Sequence, residues 1–486
     1  MEDAPTVAVI GLGPAGLVAL KNLREEGFHA IGFDRNDHVG GLWQYSEKEQ
    51  TSVMQTTTVN VSKERSCYTD FPYPDDVPSH PAATQVQQYL TNYSKHFGLE
   101  PYMRLNTAIE QITFDDEREK WVVDVKGGGK EYFDKVVVAI GGMVGKASLP
   151  VIEGVERFAG PSVHSQAFKR PADYKGKRVM FPRRIKGVPI DHTHNLRLAT
   201  FQSVVITYVP RLGEFLFDKF LKKLQDQSFN IRPEWRFEPA SKVPVVSDTL
   251  VPCLEDGSIT SVAGIKRIVN ATEVELQDGT KVDVDAIIWC TGYKSDFSMI
   301  EPRFNPECRP QAWLDAPGSN GKSLFRLYKN VFSLEKPDSL AFMAAVHITI
   351  SGFKIFAQVW AGKSSLPSLP DMKLAVDKHH VWLAETAKRV YNLSPGQCET
   401  GDWVAAMDDL AGTGVNEYLG YGWKGWLFWL QNRKFCNLLM GGIWSPHIHR
   451  VFSTGKRKCW DGAREAIERV NESVARMREE ETKKSG

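Results

Sequence analysis

The sequence predicts an α/β fold with two Rossmann-like dinucleotide-binding domains, and three observations support this class. An apolar strand at residues 7–10 runs directly into a G-x-G-x-x-G turn at 11–16. Helix-forming residues follow, and a second apolar strand ends on Asp34. Later in the chain, a hairpin followed by an apolar strand that ends in glycine occurs twice. Strand, glycine turn, helix and terminal acid in this order are typical of a dinucleotide-binding βαβ unit.

Each part of the first unit has a predicted role. Gly11 allows the tight turn, Gly13 lets a pyrophosphate approach the backbone, and Gly16 lets helix and strand pack closely. The helix N-terminus offers N–H groups to phosphates, and Asp34 is placed to accept from ribose hydroxyls. The alternative is a glycine-rich turn in another α/β fold. The predicted cofactor contacts here are Gly11, Leu12, Gly13, Pro14, Ala15, Gly16, Asp34 and Arg35.

An internal repeat predicts the second domain. A hairpin around residues 122–133 leads into a continuous apolar strand that ends in glycine at 141–142. The same order returns at 274–283, followed by an apolar strand that ends in Thr291 and Gly292. Uninterrupted apolar runs indicate strands buried on both faces, as in a parallel sheet covered by helices. The second domain is therefore expected to begin near residues 175–180.

Composition excludes several classes of function. The 486 residues have a formal net charge of +1, so no basic excess exists to neutralise nucleic acid. The 7 cysteines include no C-x-x-C pair, which fits a reducing compartment and argues against a metal site or a dithiol reductase. The start of the chain lacks a signal-like run, and no apolar stretch is long enough to span a bilayer. We therefore expect a cytoplasmic protein without a membrane anchor.

Further motifs carry a family resemblance. The run Gly40-Gly41-Leu42-Trp43 follows Asp34, and Asn60-Val61-Ser62-Lys63-Glu64 leads into Asp70-Phe71-Pro72-Tyr73-Pro74. A motif F-x-G-x-x-x-H-x-x-x-F then begins at Phe158 and contains Gly160, His164 and Phe168. With these motifs the chain, from Val7 to about Gly362, resembles the flavin-containing monooxygenases of the dimethylaniline-monooxygenase-like, N-oxide-forming class.

The resemblance implies an enzyme that holds FAD in the first glycine turn and NADPH in the second. NADPH would reduce the flavin, O2 would add to give a C4a-hydroperoxide, and a soft nitrogen or sulfur of a small-molecule amine or thioether would take one oxygen. It implies a catalytic role for Asn60 beside the flavin. It also adds Gly41, Leu42, Trp43, Val61, Thr291 and Gly292 to the cofactor contacts.

The resemblance also sets the expected domains. An FAD domain spans residues 1–165 and continues at 295–486 with a helical C-terminal region, and the NADP domain occupies 166–294. The role of His164 stays open between a structural histidine between the domains and a functional residue, because the motif in this family positions linkers more than it performs chemistry. The tryptophans Trp423, Trp426 and Trp429 recur at helical spacing and are predicted to lie in the core.

The chain departs from the family pattern at four places. Phe168 replaces a tryptophan typical of Baeyer–Villiger relatives, which favours oxygenation of a heteroatom. Val61 replaces a threonine, so only a backbone contact carries over, and Asp34 replaces the usual glutamate. The largest departure is segment 181–202, which has no glycine turn, two prolines and several basic residues. Beyond it, Arg211 is the candidate partner of the NADPH 2′-phosphate.

Segment 181–202 suggests a misread stretch of coding sequence, because its flanks and length fit the second domain while its residues do not. Without a glycine turn the pyrophosphate could not reach a helix N-terminus, and NADPH affinity would fall. Two alternatives to an N- or S-monooxygenase therefore stay open. One is a Baeyer–Villiger-type monooxygenase, and the other is a flavin-binding protein with impaired turnover.

Overall fold

The computed structural model describes residues 4–48, 50–141, 145–170, 250–343, 355–390, 393–398 and 400–485, with 184–185, 188–189, 195–197 and 219 between them. The strands are β1 Thr6–Ile10, β2 His29–Phe33, β3 Met103–Arg104, β4 Ile109–Asp115, β5 Lys120–Val125, β6 Gly129–Phe133, β7 Lys135–Val138, β8 Lys146–Ala147, β9 Ser162–His164, β10 Arg184–Ile185, β11 Val188–Pro189, β12 Ile265–Ile268, β13 Glu273–Leu276, β14 Lys281–Asp283, β15 Ile287–Trp289, β16 Tyr293–Lys294, β17 Glu307–Cys308, β18 Leu324–Phe325, β19 Leu327–Tyr328, β20 Phe332–Ser333 and β21 Leu340–Phe342. The α-helices are α1 Pro14–Glu25, α2 Lys63–Ser66, α3 Ala83–His96, α4 Leu250–Glu255, α5 Gln311–Leu314, α6 Ile355–Trp360, α7 Leu369–Ala387, α8 Thr400–Ala411, α9 Val415–Tyr418, α10 Trp423–Gln431, α11 Arg433–Gly441 and α12 Ala463–Ser485.

The largest sheet has the strand order β19-β20-β21-β7-β1-β2-β3, and β1 runs parallel to both β2 and β7. The two faces of β1 belong to different cores. Val7 and Val9 pack in one buried cluster with residues of α1, whereas Ala8 and Ile10 pack in another with Trp121. Both faces of the strand are therefore covered, as its unbroken apolar sequence predicted.

The largest sheet is completed by a strand from far along the chain. Leu340 of β21 lies opposite Val136 of β7, and the two strands run parallel. Residues after 295 thus add to the sheet that begins at Thr6, which is the arrangement expected of a domain interrupted by an insertion. The boundaries at 165/166 and 294/295 themselves stay predictions.

The internal repeat is confirmed in the structure. Strands β4, β5 and β6 form an antiparallel sheet before β7, and β12, β13 and β14 form the same arrangement before β15. Each following strand is parallel to a partner, β7 to β1 and β15 to β9. The repeated sequence pattern therefore corresponds to a repeated supersecondary unit.

The region of the expected second glycine turn is described only in part. Residues 175–180, 203–209 and Arg211 lie outside the described residues. Within segment 181–202, strands β10 and β11 form a short antiparallel hairpin in which Ile185 lies opposite Val188. A hairpin differs from the helix start that follows the glycines in a dinucleotide turn.

The prediction that the tryptophans of α10 lie in the core was wrong for Trp423 and Trp426. The helix is present, but Trp423 and Trp426 are 72% and 56% exposed, and only Trp429 is half-buried. Gly425 faces inward instead, because a Cβ there would lie 2.0 Å from the Gly420 carbonyl oxygen. A spacing of three residues defines a helix face, and it does not say whether that face meets protein or solvent.

Candidate dinucleotide site

The first glycine turn has the backbone geometry that its sequence requires. Gly11 has φ +95°, a left-handed conformation that glycine adopts readily, and its N–H donates to the carbonyl oxygen of Phe33 at 2.7 Å. A Cβ on Gly16 would lie 1.8 Å from the Gly11 carbonyl oxygen. Gly16 therefore lets α1 pack closely against the turn after β1, rather than against the strand itself.

Gly13 differs from its neighbours because the protein leaves space beside it. Among the described residues, a Cβ there would meet only the Gly41 Cα, at an ordinary distance of 3.8 Å. Gly13 is also the N-cap of α1, which has no side-chain cap and no acidic residue in its first turn, and Pro14 follows. An uncapped helix start beside open space fits a phosphate group, since the first N–H groups of a helix need an acceptor.

The carboxylate of Asp34 orders this turn. Its Oδ2 accepts from the Leu12 N–H at 2.7 Å, and its Oδ1 accepts from the Asn36 backbone and side chain at 2.9 and 3.0 Å. An ionised carboxylate offers about four acceptor positions, so one remains for a ribose hydroxyl. Asp34 is buried, whereas the predicted contact Arg35 is exposed.

The turn that contains Gly41, Leu42 and Trp43 lies directly against the glycine turn. The Gly40 N–H donates to the Leu12 carbonyl oxygen at 2.9 Å, and a Cβ on Gly41 would lie 3.1 Å from the Gly13 Cα. Gly41–Trp43 forms a single 3₁₀ turn, and Trp43 packs against the core of α1. The structure therefore brings these two predicted contact groups together.

Gln87 of α3 is a neighbour of this site that the sequence did not indicate. Its Nε2 donates to the Val39 carbonyl oxygen at 2.8 Å, and its Oε1 lies 2.2 Å from the position of a Cβ on Gly40. That Oε1 is buried without a hydrogen-bond donor among the described residues. No sequence signal separates Gln87 from the other glutamines of its helix.

Asn60 and Val61 lie on an exposed loop that is anchored from both sides. The Lys63 ammonium donates to the carbonyl oxygens of Pro74, Asp75 and Val77, at 3.2, 2.9 and 2.5 Å. This explains why the two motifs at 60–64 and 70–74 occur together. Within the described residues, no hydrogen bond joins Asn60 itself to the glycine turn, so its role stays a prediction.

Tyr68 links this loop to the glycine turn. Its hydroxyl donates to the Pro14 carbonyl oxygen at 2.7 Å, and its N–H donates to the Tyr89 hydroxyl at 2.7 Å. Burial raises the pKa of Tyr68 well above its usual value, so the hydroxyl keeps its proton and remains a donor. Like Gln87, Tyr68 was missed because its contact joins residues far apart in sequence.

Thr291 and Gly292 lie where two connecting segments cross. Strands β8 and β16 pair antiparallel, and the Thr291 hydroxyl donates to the Ser148 carbonyl oxygen at 2.5 Å. The Gly292 carbonyl oxygen accepts from the Ser148 N–H at 3.0 Å and from His164 Nε2 at 2.9 Å. These residues hold the connection between the two predicted domains, and both are exposed.

Residues after His164 contact the loop that follows Trp43. Gln166 Nε2 donates to the Thr51 hydroxyl at 2.5 Å, and Lys169 Nζ donates to the Gln50 carbonyl oxygen at 2.7 Å. Arg170 forms an ion pair with Glu47 at 2.5 Å. The motif from Phe158 to Phe168 thus leads into a segment that is held against the first domain.

The fold and the glycine turn define a dinucleotide-binding α/β protein. Comparison with known proteins gives its family: residues 4–183 and 183–485 match the flavin-binding monooxygenase-like family, and the chain belongs to it. The cofactors of this family are FAD and NADPH, as the sequence predicted. The two matched stretches meet at residue 183, inside the segment that departs from the family pattern.

Curated relatives match nearly the whole chain. Monooxygenase aurF of Gibberella zeae is 40% identical over 517 positions, with 96% of this chain and 97% of the relative covered. Flavin-containing monooxygenase 5 of Homo sapiens is 29% identical, with 95% and 91% covered. Because the aurF alignment has more positions than the 486 residues of the chain, this relative has residues that the chain lacks.

Solved structures share the fold. S-allyl-L-cysteine S-oxygenase from Allium sativum has a TM-score of 0.60 at 19% identity, with 97% of this chain and 99% of that chain covered. The open crystal structure of cyclohexanone monooxygenase has a TM-score of 0.52 at 13% identity, with 85% and 98% covered. The predicted two-domain Rossmann-type fold is thereby confirmed. Among the described residues, no helix combines the length and apolarity needed to cross a membrane.

Proposed function

We propose that this flavin-dependent monooxygenase uses NADPH and O2 to oxygenate a soft nitrogen or sulfur of a small-molecule amine or thioether. Bound FAD, once reduced, supplies the activation of O2 and the transfer of one oxygen atom; the other leaves as water. The cytoplasmic location stays a prediction.

The open space at Gly13 carries the proposal. Gly11 and Gly16 are required by the backbone itself, since a Cβ at either would lie within 2.6 Å of a carbonyl oxygen. Gly13 has no such neighbour, so the missing side chain leaves room for a ligand. That room adjoins the uncapped start of α1, where the N–H groups of Ala15 and Gly16 belong to the first turn.

The residues of the chain act by binding, orientation and exclusion of water. The first turn of α1 would hold the pyrophosphate, and the remaining acceptor position of Asp34 would take a ribose hydroxyl. Gly41, Leu42 and Trp43 would cover the flavin side of this turn. The Asn60 amide, on the loop anchored by Lys63, would donate a hydrogen bond near the reacting oxygen, and Val61 would offer only backbone groups.

A product analysis tests the substrate class. The flavin-loaded protein is given NADPH and air with either a dialkyl thioether or a cyclic ketone, and products are identified by mass. We expect sulfoxide and no lactone. Lactone as the main product would contradict the N- or S-oxygenase proposal and favour the Baeyer–Villiger alternative. That alternative stays open because the chain shares its fold with cyclohexanone monooxygenase.

A second reaction tests oxygen transfer separately from flavin reduction by NADPH. The bound flavin is reduced chemically with dithionite, excess reductant is removed, and thioether and air are added for one turnover. Sulfoxide in this arm, with none in the NADPH arm, would locate the defect in the second nucleotide site. No sulfoxide in either arm would support a flavin-binding protein without turnover.

The alternative of impaired turnover has a specific observation behind it. The family match is divided at residue 183, and β10 and β11 form a hairpin directly after that point. We propose that segment 181–202 replaces a stretch that contained the second glycine turn. Sequencing the transcript tests this hypothesis: a cDNA that encodes Pro182 to Gln202 as written would exclude a misread coding sequence.

A further inference from the structure

The outer face of α10 is apolar and exposed along its whole length. Its residues Trp423, Trp426, Leu427 and Leu430 follow the i, i+3, i+4, i+7 spacing of one helix face. Their exposed fractions are 72%, 56%, 44% and 69%, and the neighbouring Tyr421 is 74% exposed. We call these five residues the α10 patch.

The orientation of α10 is fixed by contacts on its other face. Phe428 packs edge-to-face on Phe452 at 5.1 Å, and Gly425 is buried against Gly420. Arg433 of α11 lies over the ring of Trp429, with its guanidinium carbon 4.9 Å from the ring centre. The helix therefore has an ordinary inward face, and the α10 patch is an additional apolar surface.

The stretch of sequence that contains the patch is rich in basic residues. From Tyr418 to Trp460 the sequence contains no Asp or Glu, although the chain as a whole has nearly equal numbers of acids and bases. Lys424 lies on α10, and the exposed residues Arg433 and Lys434 begin α11. Lys424 contacts Glu417 at 2.6 Å, the last acid before this stretch. The exposed cations Arg433 and Lys434, next to this apolar face in sequence, complement a negatively charged surface.

We propose that the α10 patch docks on an anionic lipid surface. Trp and Tyr prefer the boundary between headgroups and hydrocarbon, where an amphipathic helix lies in the plane of the membrane. Lys and Arg at its rim would meet acidic headgroups. A second copy of the chain fits less well, because pairing two such patches would bring the same cations face to face.

The attachment is peripheral and does not require a spanning helix. A helix with nine residues is about 14 Å long, too short to cross a bilayer but sufficient to lie within one headgroup layer. Docking would place the enzyme where apolar substrates concentrate. The inference concerns the surface alone and holds whichever substrate the flavin site accepts.

Vesicle flotation tests the proposal with the full, flavin-loaded protein. Vesicles of phosphatidylcholine alone are compared with vesicles in which about a third of the lipid is phosphatidylserine. We expect the protein to float with the anionic vesicles and its tryptophan emission to shift to shorter wavelength. Sedimentation free of both vesicle types would overturn the proposal.

Three variants locate the contact. Leu427→Ser with Leu430→Ser should reduce binding at least about tenfold, because two apolar side chains no longer enter the lipid. Lys424→Gln with Arg433→Gln and Lys434→Gln should lose the preference for anionic vesicles, about fivefold for each cation. The matched control is Leu374→Ser with Val381→Ser on α7, which are 53% and 64% exposed. Equal losses in control and patch variants would contradict the proposal.

Light scattering separates the lipid surface from a second copy. Bound flavin and circular dichroism first establish that each variant is folded. A stable dimer that Leu427→Ser with Leu430→Ser converts to monomer, without flotation of the parent protein, would assign the patch to self-association and overturn the lipid proposal. A monomer that floats with anionic vesicles supports it.

Discussion

His164 Nε2 donates a hydrogen bond to the carbonyl oxygen of Gly292, and the two atoms are 2.9 Å apart. The other ring nitrogen, Nδ1, accepts from the Gln166 N–H at 3.1 Å, which places the proton on Nε2. The bond joins the segment that enters the second predicted domain to the segment that leaves it. We therefore expect His164 to position the connection between the two predicted domains.

Removing the His164 bond should weaken this connection while leaving the glycine turn intact. We expect His164→Ala to retain bound flavin but to lower the rate of flavin reduction by NADPH about tenfold, since a lost buried hydrogen bond costs about 1–2 kcal/mol. His164→Gln keeps an N–H donor and should recover part of the rate. Equal loss of flavin in both variants would point to a general defect in folding.

Gly13 and Gly16 should respond differently to the same substitution. Gly13→Ala adds a methyl group that meets no protein atom closer than 3.8 Å, so we expect a folded protein whose flavin content falls at least about tenfold. Gly16→Ala places Cβ 1.8 Å from a carbonyl oxygen and should lower the free energy of unfolding by about 3 kcal/mol. Flavin per protein and urea unfolding measure the two effects.

Gly441→Ala is the matched control for the glycine variants. In the described part of the chain, no atom outside the chain neighbours and the backbone of its own helix lies within 4 Å of a Cβ at this position, which ends α11. Flavin content and stability should both match the parent protein. If Gly13→Ala also leaves the flavin content unchanged, the proposed pyrophosphate position is wrong.

A buried group of charges fixes the C-terminal region to α1. Asp70 contacts Lys21 Nζ at 2.7 Å and Arg450 Nη1 at 3.2 Å, and all three residues are buried. Glu25 also contacts both cations, so Asp70→Asn removes one of their two carboxylates and should lower the free energy of unfolding by about 3 kcal/mol. Arg118→Gln, which breaks an exposed ion pair with Asp115, should have no measurable effect on unfolding. Similar effects of both variants would contradict the assigned importance of burial.

Glu25 makes the stability contributed by this charge group dependent on pH in the acid range. Burial alone would raise the pKa of Glu25, but the hydrogen bond from Arg450 and the charge of Lys21 outweigh it and lower the pKa from 4.5 to about 2. Because the folded-state pKa is depressed, the stabilisation is complete above about pH 4.5 and is lost as the pH falls towards 2. Unfolding measured across this range should show a smaller pH slope for Glu25→Gln than for the parent protein.

Local patterns predicted the first βαβ unit and the repeat in which an antiparallel three-stranded sheet precedes a parallel strand. These features are encoded by consecutive residues, because strand pairing and turn geometry follow from short apolar runs and glycines. Gln87 and Tyr68 could not be predicted, since their contacts join distant parts of the chain. The exposure of Trp423 could not be predicted from the sequence either, because periodicity identifies a helix face without identifying what covers it.

Anaerobic addition of NADPH to the flavin-loaded protein shows whether this chain is a functional NADPH-dependent flavin monooxygenase despite the departure at 181–202. We expect the visible absorption band of the bound flavin to bleach and to return when air is admitted. No bleaching, even at NADPH concentrations far above those found in cells, would contradict this function of the chain.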